Sequence, residues 1–210
     1  MMQPDLFGAA RDDMVLSSGA LFLPGFAAAE VATLLAHIRT IATCSPFRHM
    51  LTPGGRRMSV AMTSCGRFGW TSSRMGYRYT SFDPDTGQAW PQMPSVFCEL
   101  ARQAATRAGF VDFLPDTCLV NRYAPGARLS LQQDLDEGDM SAPIVSVSLG
   151  LPAIFLWGGP RRSNARRRIT LHEGDVMVWG GKARRNFHGG EPLPPGNGTY
   201  RYNLTFRKAR

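Results

Sequence analysis

Gln132-Gln133-Asp134 follows a short apolar run, a single His188 lies far downstream, and Arg201-Tyr202-Asn203-Leu204-Thr205-Phe206-Arg207 runs close to the end of the chain. Two histidines and a carboxylate, spaced as His-x-Asp with a distant second His, form the facial triad that holds non-haem Fe(II) and leaves positions open for co-substrate and dioxygen. The carboxylate and the distant His are present. The first His position reads Gln132. A carboxamide oxygen can coordinate a metal, but it is a weaker donor than a neutral imidazole. The spacing therefore describes a metal site with one ligand replaced. Taken singly, Asp134 reads as a loop carboxylate and His188 as a satisfied histidine; only their setting makes them a pair.

The last segment supplies that setting. In a strand, alternate residues share a face. Arg201, Asn203 and Arg207 then lie on one side, and Tyr202, Leu204 and Phe206 on the other. Two guanidiniums on an interior face need anionic partners, because unpaired buried charge is costly. A dicarboxylate such as 2-oxoglutarate meets that need through the planar two-point fork of Arg on carboxylate. Asn121 and Tyr123, two apart on another strand, add neutral donors. For any one of these arginines, an exposed and solvated strand face explains the pattern equally well.

Two segments read as helices. Ala28 to Ala42 carries Val31, Leu34, Leu35, Ile38 and Ile41 at helical spacing, and Pro94 to Ala108 carries Val96, Phe97, Leu100, Ala101 and Ala104, with Gly109 placed as a stop. From Cys118 onward short strands take over: 119–123, 127–131, 143–149, 153–157, 168–171, 175–179 and 200–207, punctuated by Gly and Pro. Many short strands of this kind indicate a jelly-roll or barrel, a double-stranded β-helix with flanking helices and a core at about 117–207. The segment from Ser45 to Trp90, dense in Gly, Ser, Thr, Met, Arg and aromatics, reads as a lid over one mouth of the barrel within a single 1–210 domain.

The composition agrees with one folded domain: 210 residues, 43% hydrophobic and 19% charged. A net charge of +8 and a pI near 9.9 favour a polyanionic partner, nucleic acid first. Cys44, Cys65, Cys98 and Cys118 form no Cys-x-x-Cys pair, so neither a zinc site nor a disulfide framework is expected. Met1 to Asp13 lacks the pattern of a secretory signal, and no apolar stretch is long enough for a membrane span. The expected setting is cytoplasmic and reducing, with the chain acting as a monomer.

Asn121-Arg122-Tyr123-Ala124-Pro125-Gly126, Leu129-Ser130-Leu131, Gln133-Asp134, 143–150, Gly174-Asp175-Val176, Trp179-Gly180-Gly181 and 201–207 together resemble the bacterial AlkB family of Fe(II)- and 2-oxoglutarate-dependent dioxygenases, which repair alkylated nucleic acid bases. The likeness continues upstream through 45–48, 52–55, 58–63, Gly69-Trp70-Thr71 and Gly76-Tyr77. The resemblance implies that Asp134 and His188 are iron ligands, with Gln132 at a degenerate ligand position. It implies that Arg207 pairs with one carboxylate of 2-oxoglutarate, while Arg201, Asn121, Tyr123 and Asn203 hold the rest. It assigns Trp70 to stacking on the damaged base and Tyr77 to the lid near the phosphates. Asp136 falls near the exocyclic amine, Met58 and Met62 form an apolar floor, Trp179 lies in the wall and Arg161 contacts substrate. The implied reaction is oxidative dealkylation of a flipped-out base, with Fe(II), 2-oxoglutarate and O2 as cofactor and co-substrates, on single- or double-stranded DNA, with RNA as an alternative. Arg56, Arg57, Arg67, Arg74 and Arg78, with clusters at 161–162 and 166–168, are candidates to track phosphates.

Gln132 is the departure. It reads as an introduced substitution, as a natural weakening of activity, or as a loss compensated by another ligand, although His37, His49 and His172 are poorly placed to compensate. A non-catalytic module that recognises alkylated bases is the competing function. A small-molecule oxygenase fits less well with the basic lid and Trp70.

Overall fold

A computed structural model describes residues 11–195 and 200–210. The reading of the N-terminus as lacking a signal falls largely on residues 1–10, outside that range. Among the described residues, no helix is long and apolar enough to cross a membrane.

The elements run β1 (Met14–Ser17), β2 (Ala20–Leu23), α1 (Val31–Cys44), β3 (Ala61–Gly66), β4 (Gly69–Ser73), β5 (Gly76–Thr80), α2 (Ser95–Arg107), β6 (Thr117–Tyr123), β7 (Leu129–Gln132), β8 (Ile144–Gly150), β9 (Ala153–Trp157), β10 (Arg167–Leu171), β11 (Val176–Trp179), β12 (His188–Gly190) and β13 (Arg201–Arg207). A major sheet of seven strands has the order β1-β2-β11-β8-β13-β6-β3, and a minor sheet of four has the order β10-β9-β12-β7. All recorded pairings are antiparallel. The two sheets make the jelly-roll expected from the strand-rich half. The N-terminal strands and β3 extend the major sheet beyond that half, so the 45–90 segment, read as a lid from the sequence, contributes an edge strand of the sheet.

Alternation along the major sheet sorts its side chains. Leu204 and Phe206 of β13, Val145, Val147 and Leu149 of β8, and Val120 of β6 are buried in one cluster with Leu34, Ile38 and Ile41 of α1 and Phe97, Leu100 and Ala104 of α2. The helices thus cover the outer face, and each large apolar side chain taken fully out of water there contributes roughly 1.5–3 kcal/mol. The opposite face presents Arg201, Asn203, Thr205 and Arg207, with Ser146, Asn121 and Tyr123, to a cavity of about 240 Å³. One strand therefore serves the core and the cavity on opposite sides.

The β4–β5 hairpin stands apart as its own two-stranded sheet. It is seated by a close approach: a Cβ on Gly69 would lie 2.1 Å from the Trp90 ring. Trp90 is buried and its indole N–H donates to the Thr80 carbonyl at 2.9 Å, so this one side chain holds the hairpin at both of its open ends, Gly69 and Thr80.

Candidate active site

Gln132 is the last residue of β7, Asp134 follows two residues on, and His188 opens β12. In the β7–β12 ladder His188 lies directly opposite Gln132. All three line the cavity. Such a short strand as His188-Gly189-Gly190 packs closely: a Cβ at Gly189 would sit 2.9 Å from the Leu129 carbonyl oxygen, so glycine there permits the register that aims His188 inward.

Asp134 and His188 are both buried, with Oδ2 and Nε2 3.0 Å apart. The other ring nitrogen, Nδ1, lies 3.1 Å from the Asn186 carbonyl, which can only accept. Nδ1 therefore carries the hydrogen, and in the neutral ring Nε2 turns its lone pair toward Asp134. Two acceptors at this distance need a cation between them, a proton on the ring or a metal ion. Oδ2 has no hydrogen-bond partner. Two donors at right angles on one ion, with bonds of about 2.0–2.2 Å, are about 3.0 Å apart. The pair fits a metal. Among the described residues no three His, Cys, Asp or Glu side chains form a metal-holding group. Gln132, which lines the same cavity and lies opposite His188 in the ladder, is the further oxygen donor on this side of the site. His172 is exposed beyond β10, His37 packs edge-on against Phe97, and His49 bonds the Met58 carbonyl on the surface.

Beneath Asp134 lies a buried charge network. Arg207 donates to Asp134 Oδ1 at 2.9 Å and to Glu137 Oε1 at 2.5 Å. Arg184, the largest fully buried side chain, pairs with Glu137 Oε2 and donates to the carbonyls of Asp134 at 3.0 Å and Ala142 at 2.9 Å. Burial alone would raise the pKa of Asp134, but Arg207, with Arg184, outweighs it and holds the carboxyl well below the usual range. Glu137 is likewise held down, burial being overcome by Arg207, Tyr79 and Arg184. Asp136 behaves oppositely: burial and the adjacent Glu137 charge raise it.

The two arginines of β13 differ. Arg207 has carboxylate partners, yet its Nε is a buried donor with none. Arg201 is also buried, and among the described residues it pairs with no carboxylate. Its donors go to the Leu151 carbonyl at 3.2 Å and the Ser148 hydroxyl at 2.8 Å, and burial lowers its pKa. An open donor on Arg207 and a buried cation at Arg201 are what a ligand with a carboxylate at each end requires. Between them, Asn203 donates to Ser146 Oγ at 2.7 Å while accepting from Asn121 at 3.2 Å and Thr205 at 2.9 Å. Tyr123 is pushed up to about 12, chiefly by burial, and so remains a neutral hydroxyl.

Trp70 and Tyr77 also line the cavity and stack with ring centroids 5.3 Å apart. Met58, Met62 and Asp136 border it too. His188 is enclosed by Phe155, Trp157 and Trp179, the last at 5.1 Å between ring centroids. Every cavity residue singled out from sequence is thus brought to one space. Arg161 is not. It is exposed on the β9–β10 turn, where its backbone N–H bonds the Asn164 side chain, and it does not border the cavity. Arg56, Arg57, Arg67, Arg74 and Arg78 are exposed in the lid segment.

Three residues escaped the sequence reading: Glu137, Arg184 and Tyr79. Glu137 follows Asp136 in an acidic run and Arg184 lies in a basic one, positions that sequence alone cannot separate from solvated surface. The only available signal was the closeness of Glu137 to Asp134 and of Arg184 to His188; for Tyr79 there was none.

A family model described as the 2OG-Fe(II) oxygenase superfamily matches residues 19–207. The chain is 53% identical over 210 residues to the alpha-ketoglutarate-dependent dioxygenase AlkB of Escherichia coli K12, covering 98% of this chain and 97% of that protein. It is 35% identical over 127 residues to the tRNA demethylase abh1 of Schizosaccharomyces pombe, covering 60% of this chain and 41% of that protein. The solved structure of OsALKBH1 superimposes with a TM-score of 0.77 at 28% identity, covering 93% of this chain and all of that one.

Proposed function

The chain belongs to the AlkB family of the 2OG-Fe(II) oxygenase superfamily, and from that premise we propose that it removes alkyl groups from nucleic acid bases oxidatively, with turnover limited by Gln132. As an AlkB-type 2-oxoglutarate-dependent dioxygenase it requires Fe(II), 2-oxoglutarate and O2. The single observation that carries the site assignment is the Asp134–His188 pair, two buried acceptors 3.0 Å apart at the base of the cavity. In this reading Asp134, His188 and the weaker Gln132 hold Fe(II). When bound, the metal and its co-substrates supply the oxidant that hydroxylates the alkyl carbon.

The protein's own work is positioning. Asn186 fixes the tautomer of His188, and Arg207 with Arg184 keeps Asp134 ionised. Arg207 through Nε and Arg201 take the two carboxylates of 2-oxoglutarate, with Asn121, Tyr123 and Asn203 between them. The Trp70–Tyr77 pair receives a base that has left its stack, since a base inside a duplex cannot reach the floor of the cavity. Asp136, raised toward its neutral form, faces the base's polar edge, and Met58 and Met62 exclude water beside it. DNA is the favoured substrate and RNA the alternative, both consistent with a net charge of +8. Arg161 and the exposed lid arginines are then phosphate contacts outside the cavity. Four free thiols suit a reducing, cytoplasmic setting.

The test is succinate and aldehyde release with an oligonucleotide carrying a methylated base, for the chain as it stands and for Gln132→His. Restored, substrate-dependent release in Gln132→His supports the assignment. Tight binding of the methylated base with no release from either form would favour the non-catalytic module.

A further inference from the structure

We infer that Tyr79 is a positioning residue that couples the base-stacking hairpin to the co-substrate guanidinium of Arg207 through Glu137, an inference that rests on the reading of Arg207 and Trp70 just given. Tyr79 lies on β5, two residues from Tyr77 and directly opposite Trp70 in the β4–β5 ladder. Directly opposed residues, and residues two apart, share a face of an antiparallel pair. Trp70, Tyr77 and Tyr79 therefore form one face of one hairpin. The hairpin is not hydrogen-bonded into either larger sheet.

The Tyr79 hydroxyl donates to Glu137 Oε1 at 2.6 Å, crossing from hairpin to acidic loop. The same oxygen accepts from Arg207 at 2.5 Å, while the other oxygen of Glu137 is taken by Arg184. Glu137 is buried, so water cannot readily replace a lost partner. Tyr79 is held above the ordinary phenol range, with burial the largest cause, which keeps the hydrogen on the donor.

The consequence for Arg207 is geometric. Its two terminal nitrogens are anchored on Glu137 and Asp134, and Nε is the nitrogen with no partner. A shift of the hairpin that withdraws Tyr79 leaves Oε1 with Arg207 alone and lets that guanidinium turn. A hairpin settled by a base on Trp70 and Tyr77 keeps Glu137, and hence Arg207, in one orientation. Pre-organisation of this kind tightens the second ligand by removing the cost of selecting the competent arrangement. Coupling of binding free energies is reciprocal, so either ligand can be titrated.

The experiment is calorimetric titration of 2-oxoglutarate with Mn(II) into the full chain, with and without a saturating single-stranded oligonucleotide carrying one N-methylated base. The comparison is with Tyr79→Phe, which removes the hydroxyl and keeps the ring. The oligonucleotide is expected to tighten 2-oxoglutarate binding by at least about fivefold in the unchanged chain. In Tyr79→Phe the gain should fall to within about twofold of none, with each ligand alone still binding. An equal gain in both forms, or no gain in the unchanged chain, overturns the inference. So does a Tyr79→Phe form that loses both ligands together with its thermal midpoint, since that is a merely structural role. If the unchanged chain binds neither ligand, the co-substrate reading itself fails, and the inference goes with it.

Discussion

Gln132 and His188 face each other across the β7–β12 ladder, so two of the three positions proposed to hold the metal sit directly opposite one another. The position is held by backbone pairing, so in the proposed site an exchange between carboxamide and imidazole there alters donor strength rather than placement.

Gln132→His should therefore raise Fe(II)-dependent dealkylation by more than about tenfold and tighten metal binding, a range comparable to the loss seen when outer-shell partners of a metal site are removed. Affinity for 2-oxoglutarate measured with a redox-inert metal, and affinity for methylated DNA, should change little. Rapid turnover by the chain as it stands, with nothing added by the histidine, would sink the assignment of Asp134, His188 and Gln132.

Trp70→Ala should weaken binding of a methylated single strand by about 1–3 kcal/mol, the usual worth of one stacked base. Fluorescence anisotropy across a salt series separates this from charge: the affinity should drop while the salt slope is retained, because the arginines that release counterions are unchanged. Equal affinity in both forms would remove Trp70 from the base site.

Arg201→Met tests the bare buried cation. Removing a buried charge without a carboxylate partner should cost the ligand-free fold less than about 1 kcal/mol, because desolvation of that charge is relieved. The same change should weaken 2-oxoglutarate by about 2–5 kcal/mol, the cost of truncating one side of a buried charge pair. A large fall in thermal midpoint with 2-oxoglutarate affinity intact would show Arg201 to be structural.

The lid has its own acid dependence. Asp83 accepts from Arg48 and Ser45, and although burial works the other way, these bonds lower its pKa from 3.8 to about 2. Because the folded value lies below the unfolded one, the contribution is complete above about pH 4 and is lost as pH falls toward 2, roughly 2 kcal/mol in all. Urea unfolding between pH 5 and 2 should show that loss, and Asp83→Asn should flatten it; an unchanged slope in the variant would exclude Asp83 as its source.

How far the molecule could be read in advance depended on pattern. The segments behind β8, β9, β11 and β13 alternate or run apolar, and their limits were legible to within a residue or two. Strand β3 was missed because Ala61–Cys65 is buried on both faces and shows no alternation. Strand β12 was missed because His188-Gly189-Gly190 has little strand propensity and is held by its neighbours. In the site, residues whose chemistry demanded a ligand were legible. Glu137, Arg184 and Tyr79 were not, because their partners are distant in sequence and only the fold brings them together.

Strand β13 carries a consequence for how this chain can vary. Its odd-numbered residues from Arg201 to Arg207 look into the cavity, and its even-numbered residues look toward the helices or the surface above them. Substitutions stepped along these seven positions should alternate in kind, first altering what the protein holds, then how firmly it stands. Arg207 belongs to both kinds, because it faces the cavity and also neutralises the buried carboxylates of Asp134 and Glu137.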